Sequence, residues 1–274
     1  MDKRSLVLYL SGLAAAGAVV GLAASCSDQP RIKCTAGHGA FAAVYTPKGG
    51  GADPCGMPGE QIGVEAYNFP LGDKSNLDPN NGSLGLEPID LAAHIDEHGG
   101  KDTSNGRLPY SLGKWATSEP TGDDFCTVEN PNAIEQDLPF VPGKPPTTPD
   151  AGDGEDPIPS LYMKYAWSNV RFYNTPASSG TQLVADLSFT RTEGAEDGGA
   201  GTPCTAEYHV VGLWPAFDCS ADPPAMGIDE TKCSPFADPS KNRPTGSGIS
   251  PDLATRCDPV LKLCVLAKEP PSFK

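Results

Sequence analysis

From residue 161 to residue 167 apolar side chains fall at every second position (Leu161, Met163, Tyr165, Trp167), the period of a strand with one buried face. The phase then flips, and Val170 and Phe172 become the apolar pair, which predicts a β-bulge at Ser168-Asn169. A turn over residues 175–180 leads to a second strand. Here Leu183, Ala185, Leu187 and Phe189 oppose Gln182, Asp186, Ser188 and Thr190. After an acidic, Gly-rich loop at residues 193–201, Ala206, Tyr208, Val210 and Trp214 complete a three-stranded antiparallel meander. Residues 41–45 and 62–67 read as two further strands, and residues 261–266 as a short last one. One helix is predicted, over residues 88–98. Pro88 sits in its first turn, Leu91 and Ile95 share a face, and Gly99-Gly100 stop it. The expected fold is mainly β: an antiparallel β-sandwich or related fold with one or two short helices and long disulfide-pinned loops.

Composition sharpens this. The 274 residues include 31 Gly and 29 Pro, which favours turns and short elements over long helices. Charge narrows the partners. With 20 basic and 35 acidic residues the net charge is −15, so phosphate backbones and anionic headgroups are repelled. Nucleic acid is excluded as a partner, and membrane attachment requires a covalent anchor rather than a basic patch.

The amino terminus supplies one. Lys3 and Arg4 precede an uncharged run from Ser5 to Ser25 that is rich in Leu and Ala and ends in small residues, the pattern of a secretory signal. The segment Leu22-Ala23-Ala24-Ser25-Cys26 resembles the lipobox of bacterial lipoproteins, with Ala23 where that family prefers Leu. The resemblance implies cleavage before Cys26, diacylglycerol on its thiol and acylation of the freed amine. Residues 1–25 are then the signal peptide and residues 26–33 the lipidated Cys and its tether, which spans at most ~25 Å. In two-membrane bacteria, Ser27 after the Cys implies the outer membrane rather than the inner.

Cysteine parity agrees with this reading. Nine Cys are awkward for an exported protein, but lipidation of Cys26 leaves eight. These are Cys34, Cys55, Cys126, Cys204, Cys219, Cys233, Cys257 and Cys264, enough for four bridges. Three lie before a low-complexity stretch at residues 141–159 and five after it, so at least one bridge must cross it. Residues 34–274 are therefore expected to form one disulfide-linked domain, with Cys126 as the expected crossing. A strand of ~30 Å between Cys204 and Cys219 excludes that pair. Cys34–Cys55 and Cys257–Cys264 are the expected local bridges.

Candidate chemistry is thin. His94-Ile95-Asp96-Glu97-His98 matches the H-x-x-E-H motif of inverted zinc proteases, in which two His hold zinc and the Glu activates water. That family uses a long helix and a distant third ligand, whereas this helix ends at Gly99, so His94 and His98 read first as a polar helix end. Ser111-Leu112-Gly113-Lys114 matches the S-x-x-K of penicillin-binding proteins, and Arg243-Pro244-Thr245-Gly246 is a poor echo of their K-T-G box. Asp150, Asp153, Glu155 and Asp156 crowd one loop and could ligate calcium, but fit no standard loop. Glu207 and His209 share a strand face toward water. Tyr165, Trp167, Phe189, Tyr208 and Trp214 could form a glycan platform, but their alternation assigns them to the core. No catalytic set and no cofactor are expected. The expectation is a membrane-anchored extracytoplasmic lipoprotein with a binding or structural role toward an envelope or extracellular ligand. The alternatives are a carbohydrate-binding module or a hydrolase, which a pocket gathering His38, His94 or His98 with carboxylates would favour.

Overall fold

In the computed structural model, residues 32–274 are described except 73–75, 145–153, 196–198, 200, 224–226 and 242. The expected signal peptide, Cys26, most of the expected tether, Asp150 and Asp153 lie outside the described residues. Strands β1 (Gly39–Pro47), β2 (Gly59–Pro70), β3 (Leu77–Pro88), β4 (Ser111–Trp115) and β5 (Phe125–Glu129) pair in sequence order, each antiparallel to the next. β6 (Ile134–Leu138) lies against the first part of β7 (Leu161–Thr175), and β5 pairs with the later part through Phe125–Tyr173 and Cys126–Phe172. β8 (Ser178–Glu193) and β9 (Pro203–Leu213) follow, and β9 pairs back onto β1. The pairing thus closes into a ring of eight antiparallel strands, β1-β2-β3-β4-β5-β7-β8-β9, with β6 as an additional strand on β7.

Inward positions fill this barrel. Phe41, Ile62, Leu84, Tyr165, Phe172, Leu187, Phe189 and Tyr208 are all fully or almost fully buried in one cluster. An eight-stranded barrel is just wide enough for side chains to occupy its interior. The predicted bulge is present: the β7–β8 register shifts between Ser168 and Arg171, and Asn169 takes φ +51° while donating to Asp186 Oδ2 at 2.6 Å. The helix α1 (Ile89–Glu97) follows β3 directly, buries Leu91 and ends where Gly99 and Gly100 adopt positive φ. In the β6–β7 connection, Val141 bridges Ile158 and Lys144 bridges Glu155, both antiparallel.

The chain after β9 wraps the outside of the barrel. Its hairpin, β10 (Thr255–Cys257) with β11 (Cys264–Leu266), and the segment before it place Leu263 and Val265 on Ala42 and Val44, the outward residues of β1. Phe273 packs on Tyr173 and Ser272 N–H donates to Gln182 Oε1 at 2.7 Å. Much of the outer wall of β1, β7, β8 and β9 is covered in this way.

The eight described cysteines form Cys34–Cys126, Cys55–Cys204, Cys219–Cys257 and Cys233–Cys264. One bridge crosses the 141–159 stretch, but Cys55 carries it, not Cys126. The expected local pairs do not form. Cys34 and Cys55 lie at opposite ends of β1, which as a nine-residue strand spans roughly 30 Å. Cys257 and Cys264 face each other as register partners in the β10–β11 hairpin, yet each sulfur turns to a different neighbouring segment.

Candidate functional site

Where the carboxy-terminal segment does not reach, the outer face of β2–β4 carries a groove of about 690 Å³. Register determines what lines it. On β2 the inward residues Ile62 and Val64 alternate with outward Gly63, Glu65 and Tyr67; on β3, Leu84 and Leu86 alternate with Ser83, Gly85 and Glu87. Gly63 pairs with Glu87 and Glu65 with Gly85, and Gly85 pairs onward with Leu112 of β4. Two glycines therefore occupy one diagonal of a square and two glutamates the other. Tyr67, Tyr110 and Leu112 form the walls. Tyr67, Phe69 and Leu112 are 50%, 42% and 37% exposed, which makes this an apolar cluster left toward solvent. Partial desolvation, then the Glu65 carboxylate, Tyr110 and Glu87, push the Tyr67 hydroxyl up. His38 Nδ1 lies 2.6 Å from Glu65 Oε2 at the edge of this square.

A second polar cluster lies inside the barrel. Glu60, one step before Ile62 on the inward face of β2, is only 3% exposed. Its Oε1 accepts from Tyr45 Oη at 2.9 Å and its Oε2 from Asp90 N–H at 3.2 Å, in the first turn of α1. Burial, then the nearby Asp90 carboxylate, push the Glu60 carboxyl up to about 8, and these outweigh the hydrogen bonding that favours its charged form. The Tyr165 hydroxyl faces the same carboxyl but makes no hydrogen bond of its own, and neither does Trp167 Nε1. Tyr208 Oη donates to Asp53 Oδ1 at 2.5 Å.

The residues singled out from sequence are scattered. His94 Nδ1 lies 3.0 Å from Glu97, while buried His98 turns away to Pro139 O at 2.9 Å. Among the described residues, the one group of three or more potential metal ligands is Cys219, Cys233 and Cys264, all engaged in disulfides. Ser111 is buried and donates to Asn132 O at 2.6 Å, whereas Lys114, an odd number of residues away on β4, is on the exposed face. Glu155 pairs with Lys144 at 2.7 Å, and Asp156 is exposed. Thr245 and Gly246 lie by a smaller groove with Arg243, whose Nη1 donates to Thr231 O. His209 pairs with Glu269 at 2.9 Å. Tyr165, Trp167, Phe189 and Tyr208 are core, and Trp214 is partly buried with its indole N–H on His38 O at 2.9 Å. Sequence reasoning misses the groove glycines, Glu87, Tyr110 and buried Glu60. For Glu60 a signal exists: extending the Ile62–Val64 alternation back by two residues places it inside.

Comparison with known proteins adds a family. A family model described as MlpA matches residues 39–215, from the first residue of β1 to just beyond β9, so the matched region is the barrel. A Myxococcus xanthus protein named "Putative lipoprotein MlpA" is 25% identical over 241 residues, covering 84% of this chain and 81% of that protein. No solved structure matches. A relative named as a lipoprotein supports a lipoprotein with a place in the cell envelope, and the chain belongs to the MlpA family.

Proposed function

We propose that this protein is an outer-membrane lipoprotein, anchored through diacylglycerol on Cys26, whose barrel binds an envelope or extracellular partner without catalysis. The observation that carries the binding role is the open β2–β4 face. The chain's own carboxy-terminal segment covers other outer strands, while Tyr67, Phe69 and Leu112 stand exposed around a groove. The lipobox, the even set of eight remaining cysteines and the named lipoprotein relative support the anchor.

Two measurements test the two halves. Cys26→Ala is expected to move the protein from the membrane to the soluble fraction, and the intact wild-type mass to include acyl groups. Retention of the variant in membranes, or a wild-type mass without lipid, overturns the anchor. A photo-crosslinking residue at position 67 in cells is expected to give an adduct that the same residue at exposed Val260 does not. Equal labelling at both positions overturns the groove as the binding face.

A further inference from the structure

Gly63 and Gly85 lack the usual reasons for glycine inside a strand. Neither has positive φ. The register runs unbroken from Ile62 to Asn68 on β2 and from Ser83 to Leu86 on β3, so neither marks a bulge. An added Cβ at Gly85 would meet nothing closer than 3.7 Å, and at Gly63 nothing closer than 3.4 Å. A methyl group would thus fit at both positions; at buried Gly85 it would already touch Tyr67 and Leu112, whereas Gly63 is partly open. A partly open strand-interior glycine such as Gly63 offers another molecule an approach to the backbone.

The glutamates on the other diagonal indicate what approaches. Cross-strand geometry puts Glu65 and Glu87 at opposite corners of the square, about 7–8 Å apart on the diagonal. Two carboxylates at that separation repel each other. His38 Nδ1 lies 2.6 Å from Glu65 Oε2. Tyr67 and Tyr110 wall the same space with aromatic faces. Carboxylates on two sides and rings on a third complement a cation carried on an apolar stem.

Resting on the groove as the binding face, we infer that it takes an arginine or lysine side chain presented by an extended segment of a partner protein. The stem lies over Gly63 and the charged head sits between Glu65 and Glu87. Anionic ligands are disfavoured by the same two carboxylates and by the chain's charge of −15.

Calorimetric titration of the full lipidated protein in detergent micelles tests this with four probes: acetyl-Arg-Leu-Arg-amide, acetyl-Glu-Leu-Glu-amide, spermidine and chitotetraose. The basic peptide is expected to bind, more weakly as salt is raised, and the acidic peptide to give no heat. Affinity for the basic peptide should fall at least tenfold in Glu65→Gln/Glu87→Gln and in Gly63→Val, with the melting midpoint of Gly63→Val unchanged or raised. Equal affinity in the double Gln variant overturns the proposal, as does a basic peptide that gives no heat. Spermidine binding as tightly as the peptide would assign the site to free amines instead. Chitotetraose binding that Gly63→Val abolishes would assign it to saccharides. Each of these overturns the basic segment as ligand, whereas the groove as binding face falls only if the position-67 crosslink fails.

Discussion

Glu60→Gln removes a titration from the barrel interior, and its effect on stability should depend on pH in a fixed direction. The folded chain holds a proton on Glu60 up to about pH 8, whereas the unfolded chain releases it near the ordinary value of 4.5. Below pH 4.5 both states are protonated and the stabilisation is complete. Between pH 4.5 and 8 only the folded state carries the proton, so raising the pH favours unfolding. Each unit costs a little over 1 kcal/mol, and the whole window roughly 4–5 kcal/mol. Above pH 8 the loss is finished and the curve flattens. The substituted amide cannot ionise, and it keeps the local pairing: its oxygen accepts from Asp90 N–H and its NH₂ donates to Tyr45 Oη. The variant is therefore expected to match wild type within about 1 kcal/mol at pH 5 and to exceed it by several kcal/mol at pH 9. Urea denaturation followed by tryptophan fluorescence at pH 5, 6.5, 8 and 9 measures the difference. A gap between the two proteins that stays constant from pH 5 to pH 9 would refute the retained proton.

Two further outcomes follow from the fold. Cys55 and Cys204 are 149 residues apart in sequence, so Cys55→Ala/Cys204→Ala releases a long loop in the unfolded chain and should cost up to about 5 kcal/mol in urea denaturation; a loss below about 1 kcal/mol would mean the bridge constrains little. Asn169→Val forces a β-branched residue into φ +51° and deletes the bond to Asp186, which should lower stability by roughly 2 kcal/mol, with Asn169→Gly costing less; equal stability of the Val and Gly variants would contradict a left-handed bulge residue.

What could be read from sequence follows side-chain size. β7, β8 and β9 alternate large apolar residues with polar ones, so their strands, the bulge and the meander were legible. β3 and β4 were not, because their outward residues include Ser83, Gly85 and Leu112 and the first half of β3 carries Pro79, Asn80 and Asn81, a composition that reads as loop. Closure of the ring depends on β5 meeting the far part of β7, a contact across more than 40 residues that no local period encodes. The Cys34–Cys55 expectation fails because the strand-length limit that excludes Cys204–Cys219 applies equally across β1. The groove was invisible for a related reason. Its square of two Gly and two Glu exists only once β2 and β3 are set in register.

That register links the interior cluster to the groove outside. β2 presents Glu60, Ile62 and Val64 inward and Gly63, Glu65 and Tyr67 outward. A one-residue slip would exchange these sets, driving Glu65 and Tyr67 into the core and Ile62 into the groove. Apolar burial opposes the slip, but many apolar side chains tolerate small shifts, whereas hydrogen bonds to a buried carboxyl do not. Glu60 is held from β1 by Tyr45 and from the first turn of α1 by Asp90, so it fixes β2 against its neighbours on two sides. Gly59 adds a close approach to Ala43 O that any Cβ would block, and its φ of +140° suits glycine alone. A desolvated carboxyl is a costly residue to keep in a core that an aliphatic side chain could fill. Its place here is explained by the pairing it specifies, because the same pairing sets Glu65 across from Gly85 and Glu87 across from Gly63.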